Sequence, residues 1–435
     1  SGYTRKGPMA GGSFSMKKMI LILLFPWTAS ALDAPPLIGE LGCGVCHSDV
    51  PVDPQVSERS GSLSDVRTRF EPVALFEYLQ KPKSKRGDLG ATRMPDYRFR
   101  PEESLALTLY LMASDEGLTQ IKAAHSNVTA EIGQRIYLNQ NCGGCHIDAS
   151  RPRPSRLVAP MLRSEGARAK RAWLKKFLAH PEPIRPFGYI PGTGTRMPDF
   201  KLSAREVKTI SNWLMEQKQP SQVESKPPSH LSAFSANKAK ALLTRRYGCL
   251  GCHQLQGRGG RVGPDLTSVS SRRPHAYVQA VIENPQHAAL QQIMPKIPMP
   301  QKTSELIARY LSGADGRPVA LEDAALVKLS AEASELPSGT AGLYQTYCVA
   351  CHGSSGKGDG FNADFTEVKP SAHADEAMAS IPDDTLYDWI HGGGFVMNKS
   401  ATMPAWGATL EPDQIRSLVA HIRALCQCEG PKWSK

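Results

Sequence analysis

Three things are scarce in this chain of 435 residues. Aromatic residues make up only 7% of it, and no stretch alternates apolar and polar residues with the period of a strand. The longest apolar run, Met19–Ala29, has 11 residues and is interrupted by Pro26. A membrane span needs about 20 apolar residues, so a protein of several spans is excluded. The missing period-2 pattern argues against a sandwich or barrel. Disorder is excluded from the other side, because 40% hydrophobic and 21% charged residues is an ordinary globular balance. The length is too great for one core and fits three or four compact units.

The short apolar run follows Lys17 and Lys18 and precedes Ala29-Ser30-Ala31, the layout of an export signal with a small-residue cleavage site. We expect Met16 to be the start and residues 1–31 to be upstream sequence and cleaved signal. Leu32 is then the mature N-terminus. The alternative, an uncleaved anchor, is disfavoured by the shortness of the run. The mature chain is expected to be a soluble resident of the oxidising periplasm.

The ten cysteines are unevenly placed. Eight fall in Cys43-Gly-Val-Cys46-His47, Cys142-Gly-Gly-Cys145-His146, Cys249-Leu-Gly-Cys252-His253 and Cys348-Val-Ala-Cys351-His352. Composition alone predicts about 0.006 such pentapeptides, so the four copies are not chance. Their first cysteines lie 99, 107 and 99 residues apart, the mark of one repeated unit. Each motif is followed by Met-Pro: Met94-Pro95, Met197-Pro198, Met294-Pro295 and Met403-Pro404, lying 47, 51, 41 and 51 residues past the histidine. A helix-period stretch closes each unit, over Glu102–Met112, Ala204–Met215, Ser304–Leu311 and Pro412–Leu425. Weaker helical stretches, such as Thr129–Asn139 and Ala236–Arg246, lead into the later motifs. Pro- and Ser-rich stretches, Gln219–Ser232 and Gly316–Gly339, read as linkers.

A Cys-x-x-Cys-His pentapeptide suits covalent haem attachment. Two thiols three residues apart add across two vinyl groups, and the adjacent histidine supplies an axial imidazole. A methionine thioether from the far side of the pocket completes six-coordinate iron and raises its potential. Disulfides would not require a histidine after every second cysteine. Zinc would need four ligands and leave the recurring methionine idle. Cofactor attachment is therefore assigned to Cys43, Cys46, Cys142, Cys145, Cys249, Cys252, Cys348 and Cys351, and iron ligation to His47, Met94, His146, Met197, His253, Met294, His352 and Met403. In the third unit Met299 competes with Met294. Met294 keeps the 16-residue distance to an aromatic that Met94–Tyr110 and Met197–Trp213 show, whereas Met299 lies 11 residues from Tyr310. Met299 is expected to line the pocket.

These units resemble the class I cytochrome c family. The resemblance is fullest in the fourth, where Cys348-Val-Ala-Cys351-His352-Gly353 continues to Gly356-Lys-Gly358-Asp-Gly360 and Met403-Pro-Ala-Trp406 looks like that family's distal loop. It implies an all-α fold of four tandem small helical domains joined by short linkers, at residues 32–118, 129–218, 235–315 and 339–428. It also implies four covalent haem c groups, and a proline carbonyl orienting each axial imidazole, with Pro264, Pro160 and Pro370 as the candidates. The first unit has no such proline, and its leading helix is expected to be short or missing. The function implied is electron transfer between redox proteins, a dehydrogenase as donor and an oxidase or reductase as acceptor, free or as a subunit of a membrane complex. No enzymatic activity is expected; the alternative is a peroxidase-like or gas-binding enzyme with one open haem. Cys426-Gln-Cys428 is left without an assigned role.

A formal net charge of +11 suggests an anionic partner such as nucleic acid, but most of it goes away. Removing Arg5, Lys6, Lys17 and Lys18 leaves +7, and the eight propionates of four reduced haems bring the total near −1. Nucleic-acid binding is not expected. The basic stretch Arg168–Lys176 reads as a solvated helix face and the best candidate for an acidic partner. By unit, with the fourth counted to residue 435, the polypeptide charges are −4, +9, +7 and −4. That alternation suggests two acid–base pairs, first with second and third with fourth, with the like-charged middle units apart unless something bridges them.

Overall fold

The computed structural model describes residues 34–50, 52–56, 60, 62–63, 66–82, 94–146, 159–160, 162, 164–189, 191–217, 230–285, 293–313 and 339–431. The expected export signal and most of both linker stretches lie outside the described residues. The fold is all-α. Among the described residues there is no strand, only isolated bridges at Asp96–Asp199 and Leu255–Arg258. No helix among them is long and apolar enough to cross a membrane.

Twelve helices of seven or more described residues carry the packing. They are α1 (Ala34–Glu40), α2 (Pro72–Gln80), α3 (Pro101–Met112), α4 (Ala130–Asn139), α5 (Arg171–Ala179), α6 (Ala204–Glu216), α7 (Ala233–Ala241), α8 (His275–Glu283), α9 (Gln301–Ser312), α10 (Gly339–Tyr347), α11 (Asp383–Gly392) and α12 (Pro412–Cys426). The four closing helices α3, α6, α9 and α12 form where the sequence period placed them. Their starts follow from local chemistry. Ser203 Oγ accepts from the Glu206 amide while the Glu206 carboxylate accepts from Ser203 N–H at 2.7 Å, a reciprocal cap. Pro101 and Pro412 open α3 and α12 at a position whose N–H has no helical partner to lose. The first unit does have a leading helix, the seven-residue α1.

In the third and fourth segments the helix before each motif packs on the closing helix of the same segment, α7 on α9 and α10 on α12. The first two segments differ. Here α1 packs on α6, and α4 packs on α3. One core joins Leu75 and Leu79 of α2, Leu105, Leu107 and Leu111 of α3, and Ile136 and Tyr137 of α4. The crossing of α3 and α4 is close because Gly133 faces the Ala106 carbonyl. A Cβ at Gly133 would fall 1.9 Å from that oxygen.

The two middle segments, both basic, are in contact. Glu165 bridges Arg168 of its own segment (2.7 Å) and Arg273 of the next (3.1 Å); Glu165 and Arg168 are buried and Arg273 is partly so. Lys170 N–H donates to the Arg272 carbonyl at 2.9 Å. Phe187 meets the Phe361 ring edge-on at 4.8 Å, so the second segment also touches the fourth. Arg168 is therefore buried rather than part of a solvated basic face, while Lys170, Arg171 and Lys176 remain exposed. At the C-terminus, Cys426 and Cys428 form a disulfide.

Gly133→Ala supplies a test of the crossing. In an isolated helix the change stabilises by about 1 kcal/mol. Against an immovable backbone carbonyl we expect the sign to reverse, with a loss of about 2 kcal/mol in denaturant unfolding.

Candidate cofactor cavity

Each pentapeptide is folded by one hydrogen bond. The histidine N–H donates to the carbonyl of the first cysteine at 2.9 Å in all four: His47 to Cys43, His146 to Cys142, His253 to Cys249 and His352 to Cys348. That i to i+4 bond makes one helical turn, which puts residues i, i+3 and i+4 on one side. Both thiols and the imidazole therefore point the same way. In the first three segments a left-handed residue ends the leading helix just before the turn: Gly42 (φ 71°), Asn141 (φ 54°) and Gly248 (φ 64°). In the fourth, α10 runs directly into it.

Three of the four rings have a described orienting carbonyl. The Nδ1–H of His47 donates to Pro160 O (2.5 Å), that of His253 to Pro264 O (2.8 Å) and that of His352 to Ser371 O (2.9 Å). A carbonyl can only accept, so Nδ1 carries the proton and Nε2 keeps its lone pair. Burial also lowers the pKa of all three rings, holding them neutral. Pro264 thus takes the place the resemblance gave it. Two of the other expectations are corrected: Pro160 serves His47, from the first segment, and the fourth segment uses the carbonyl of Ser371 instead of Pro370.

All eight cysteines, all four histidines, and Met94, Met197, Met294 and Met403 line one connected cavity of about 910 Å³. Met299 lines it too and packs against the third-segment core of Leu243, Ile307 and Leu311. Burial pushes the Cys43, Cys142, Cys145, Cys252 and Cys348 thiols up to about 12, and Cys46 and Cys249 up to about 11. Such thiols are poor nucleophiles by themselves, unlike a catalytic thiolate. Among the described residues no group of three or more His, Cys, Asp or Glu is arranged to hold a metal ion.

Two junctions join the motifs in pairs. Asn141 Nδ2 donates to the Val45 carbonyl at 2.7 Å, and Asn362 Nδ2 donates to the Gly251 carbonyl at 2.9 Å. Val45 and Gly251 hold the same place, just before the second cysteine of a motif. Asn362 is fully buried, and its Oδ1 accepts from Arg261 N–H at 2.8 Å. The methionine loops of the first two segments pair as well. Asp96 N–H donates to Asp199 O (2.8 Å) and Asp199 N–H to Asp96 O (2.7 Å). Sequence reasoning missed these three contacts. The repeated Met-Pro-Asp-aromatic-basic run at Met94–Arg98 and Met197–Lys201 was the available signal for the loop pairing.

With this geometry in view, the family comparisons fall into place. Residues 130–218 and 236–315 each match the model for cytochrome c, and residues 336–422 match that for cytochrome C oxidase, cbb3-type, subunit III. No curated protein and no solved structure matches the chain significantly. The chain carries cytochrome c domains, which imply covalently bound haem c and support electron transfer. The cavity fits such a group. It offers paired thiols, neutral imidazoles with free Nε2 and a mostly apolar wall. It is also lined by Arg196 and Arg272, whose buried Nε–H groups have no acceptor in the protein. The carboxylates of haem are acceptors of the kind those groups lack.

Glu165 lies beside His47 and holds the middle contact, and its pKa is depressed. Burial alone would raise it, but Arg273 and Arg168 outweigh that. A depressed carboxylate stabilises the fold above its unfolded pKa, near 4.5, and the contribution is lost as pH falls through the lower folded value. Glu165→Gln removes the negative charge from between the two arginines. We expect it to cost about 3 kcal/mol near neutrality. The difference from the parent protein should shrink below about pH 4 in pH-dependent unfolding.

Proposed function

We propose that this chain is an exported, periplasmic electron carrier that holds four haem c groups and passes electrons singly between redox proteins. The observation that supports it best is the connected cavity, because every residue expected to bind cofactor or iron opens onto it. The cysteine pairs Cys43/Cys46, Cys142/Cys145, Cys249/Cys252 and Cys348/Cys351 hold the groups covalently. His47, His146, His253 and His352, together with Met94, Met197, Met294 and Met403, would supply the protein ligands of the iron. Haem c, when bound, supplies one-electron chemistry at iron. The protein's part is to fix that chemistry in place. Pro160, Pro264 and Ser371 lock three imidazoles in the tautomer that presents Nε2. The apolar wall excludes water. Methionine on the far side leaves no vacant position for oxygen or peroxide, which favours a carrier over an enzyme. A dehydrogenase as donor and an oxidase or reductase as acceptor suit this role, and the fourth segment's likeness to an oxidase subunit favours a respiratory complex as one partner.

The intact mass of the holoprotein should exceed the polypeptide by four haems. Carbon monoxide added to the reduced protein should leave the spectrum unchanged. A shift in about a quarter of the haem signal would point instead to one open, gas-binding site.

In the third segment Met294→Ala should remove about a quarter of the methionine-ligand absorption band, and Met299→Ala should leave it. The opposite result would make Met299 the ligand.

A further inference from the structure

From the packing we infer that the first two segments exchange halves, so that each of their haem sites is built from both: His47 with Met197, and His146 with Met94. The inference rests on the haem-binding reading above and adds to it which methionine faces which motif.

The third and fourth segments supply the rule. In each, the leading helix packs on the closing helix of the same segment, and this brings the first cysteine of the motif and a methionine of that segment to one core, Cys249 with Met299 and Cys348 with Met403. In the fourth, Cys348 and Met403 both pack on the core of Tyr344, Val349, Trp406 and Leu418. Trp406, three residues past Met403, lies 5.0 Å from Tyr347, which adjoins Cys348.

In the first two segments the same packing is crossed. The leading helix of the second motif, α4, lies on α3, which closes the stretch after Met94. Tyr97, three residues past Met94, is the counterpart of Trp406. It packs on the core that includes Ile136, Tyr137 and Cys142, and its hydroxyl donates to the Gln140 carbonyl at 3.3 Å. Gln140 lies two residues before Cys142 and its side chain also donates to the Gly194 carbonyl at 2.9 Å; it is Tyr97, packed with Cys142 on one core, that closes the Met94 loop over the second motif. The first motif goes the other way. Its helix α1 lies on α6, which closes the stretch after Met197. Its imidazole is held by Pro160, 113 residues away. Leu162 N–H donates to the Asp49 carboxylate at 2.9 Å, across the same interval. In the third and fourth segments the imidazole finds its carbonyl only 11 and 19 residues downstream. Residues 130–218 match the cytochrome c model as a continuous stretch, so in the second segment the order of motif, methionine and closing helix along the chain is that of the family.

The test removes one attachment site in the full-length chain. With Cys43→Ala and Cys46→Ala together, the protein should carry three haems by mass. In that background Met94→Ala is expected to remove about one third of the methionine-ligand band, and Met197→Ala to leave it unchanged. Pairing along the chain predicts the reverse, and that reverse would overturn the exchange. The complementary background, Cys142→Ala with Cys145→Ala, inverts both expectations and serves if the first does not fold. A parent protein that takes up no haem at all would overturn the functional reading itself, a different result from either pairing.

Discussion

The structure depends on one short hydrogen bond repeated four times, from a histidine N–H to the carbonyl of the cysteine four residues before it. At 2.9 Å in every copy, it turns five residues of sequence into one face carrying two thiols and an imidazole. The bond needs nothing from outside the pentapeptide: Gly42, Asn141 and Gly248 end the incoming helix by taking left-handed φ, and in the fourth copy the helix runs straight into the turn. What lies beyond the turn is free to vary. The carbonyl that orients the ring comes from a proline twice and a serine once, and from 11, 19 or 113 residues away. A local constraint this cheap explains how one motif survives in four different surroundings.

The same locality explains what could be read in the sequence. The all-α class, the closing helices α3, α6, α9 and α12, and the residues that line the cavity are all set by short-range patterns: the helical period, Pro and Ser at helix starts, and the fixed spacing of the pentapeptide. The short α1 was an open question only because Pro35 and Pro36 sit at its start, where the first helical turn tolerates them. Partnership between segments was not legible. The repeats are alike, so α4 carries the pattern that suits either α3 or α6. The choice shows only in contacts far apart in sequence, such as Gly133 against Ala106, Tyr97 on Gln140 and Pro160 with His47. Prolines were assigned to motifs by nearness along the chain, which fails where the chain is exchanged.

Charge counting missed for a different reason. Summed over segments, the second and third are both strongly basic and ought to repel. Summation hides that one buried carboxylate, Glu165, sits between two guanidinium groups. An exposed ion pair contributes only about 0–1 kcal/mol, and exposed like charges repel no more strongly across physiological salt. A largely buried bridge, with the Lys170 bond to the Arg272 carbonyl joining the same two segments, outweighs the repulsion of the solvated lysines of α5. Position decides here, and net charge does not.

An exchange between neighbouring repeats is also thermodynamically easy. Exchanged and unexchanged forms bury nearly the same apolar surface, because each closing helix receives a helix of the same kind either way. Both partners are on one chain, so no translational freedom is lost in choosing between them, and the cost of closing a longer loop rises only as the logarithm of its length. The balance is then left to small terms particular to the crossed packing: the Asp96–Asp199 bridge, the Tyr97 bond to Gln140 and the Gly133 crossing. A net hydrogen bond is worth about 1 kcal/mol and 1.4 kcal/mol is a tenfold bias, so three or four such contacts suffice to make one arrangement dominant. The third and fourth segments have a junction too, through Asn362, but theirs joins two closed units. The two halves of the molecule thus use one kind of junction to different ends, sharing sites in the first pair and adjoining them in the second.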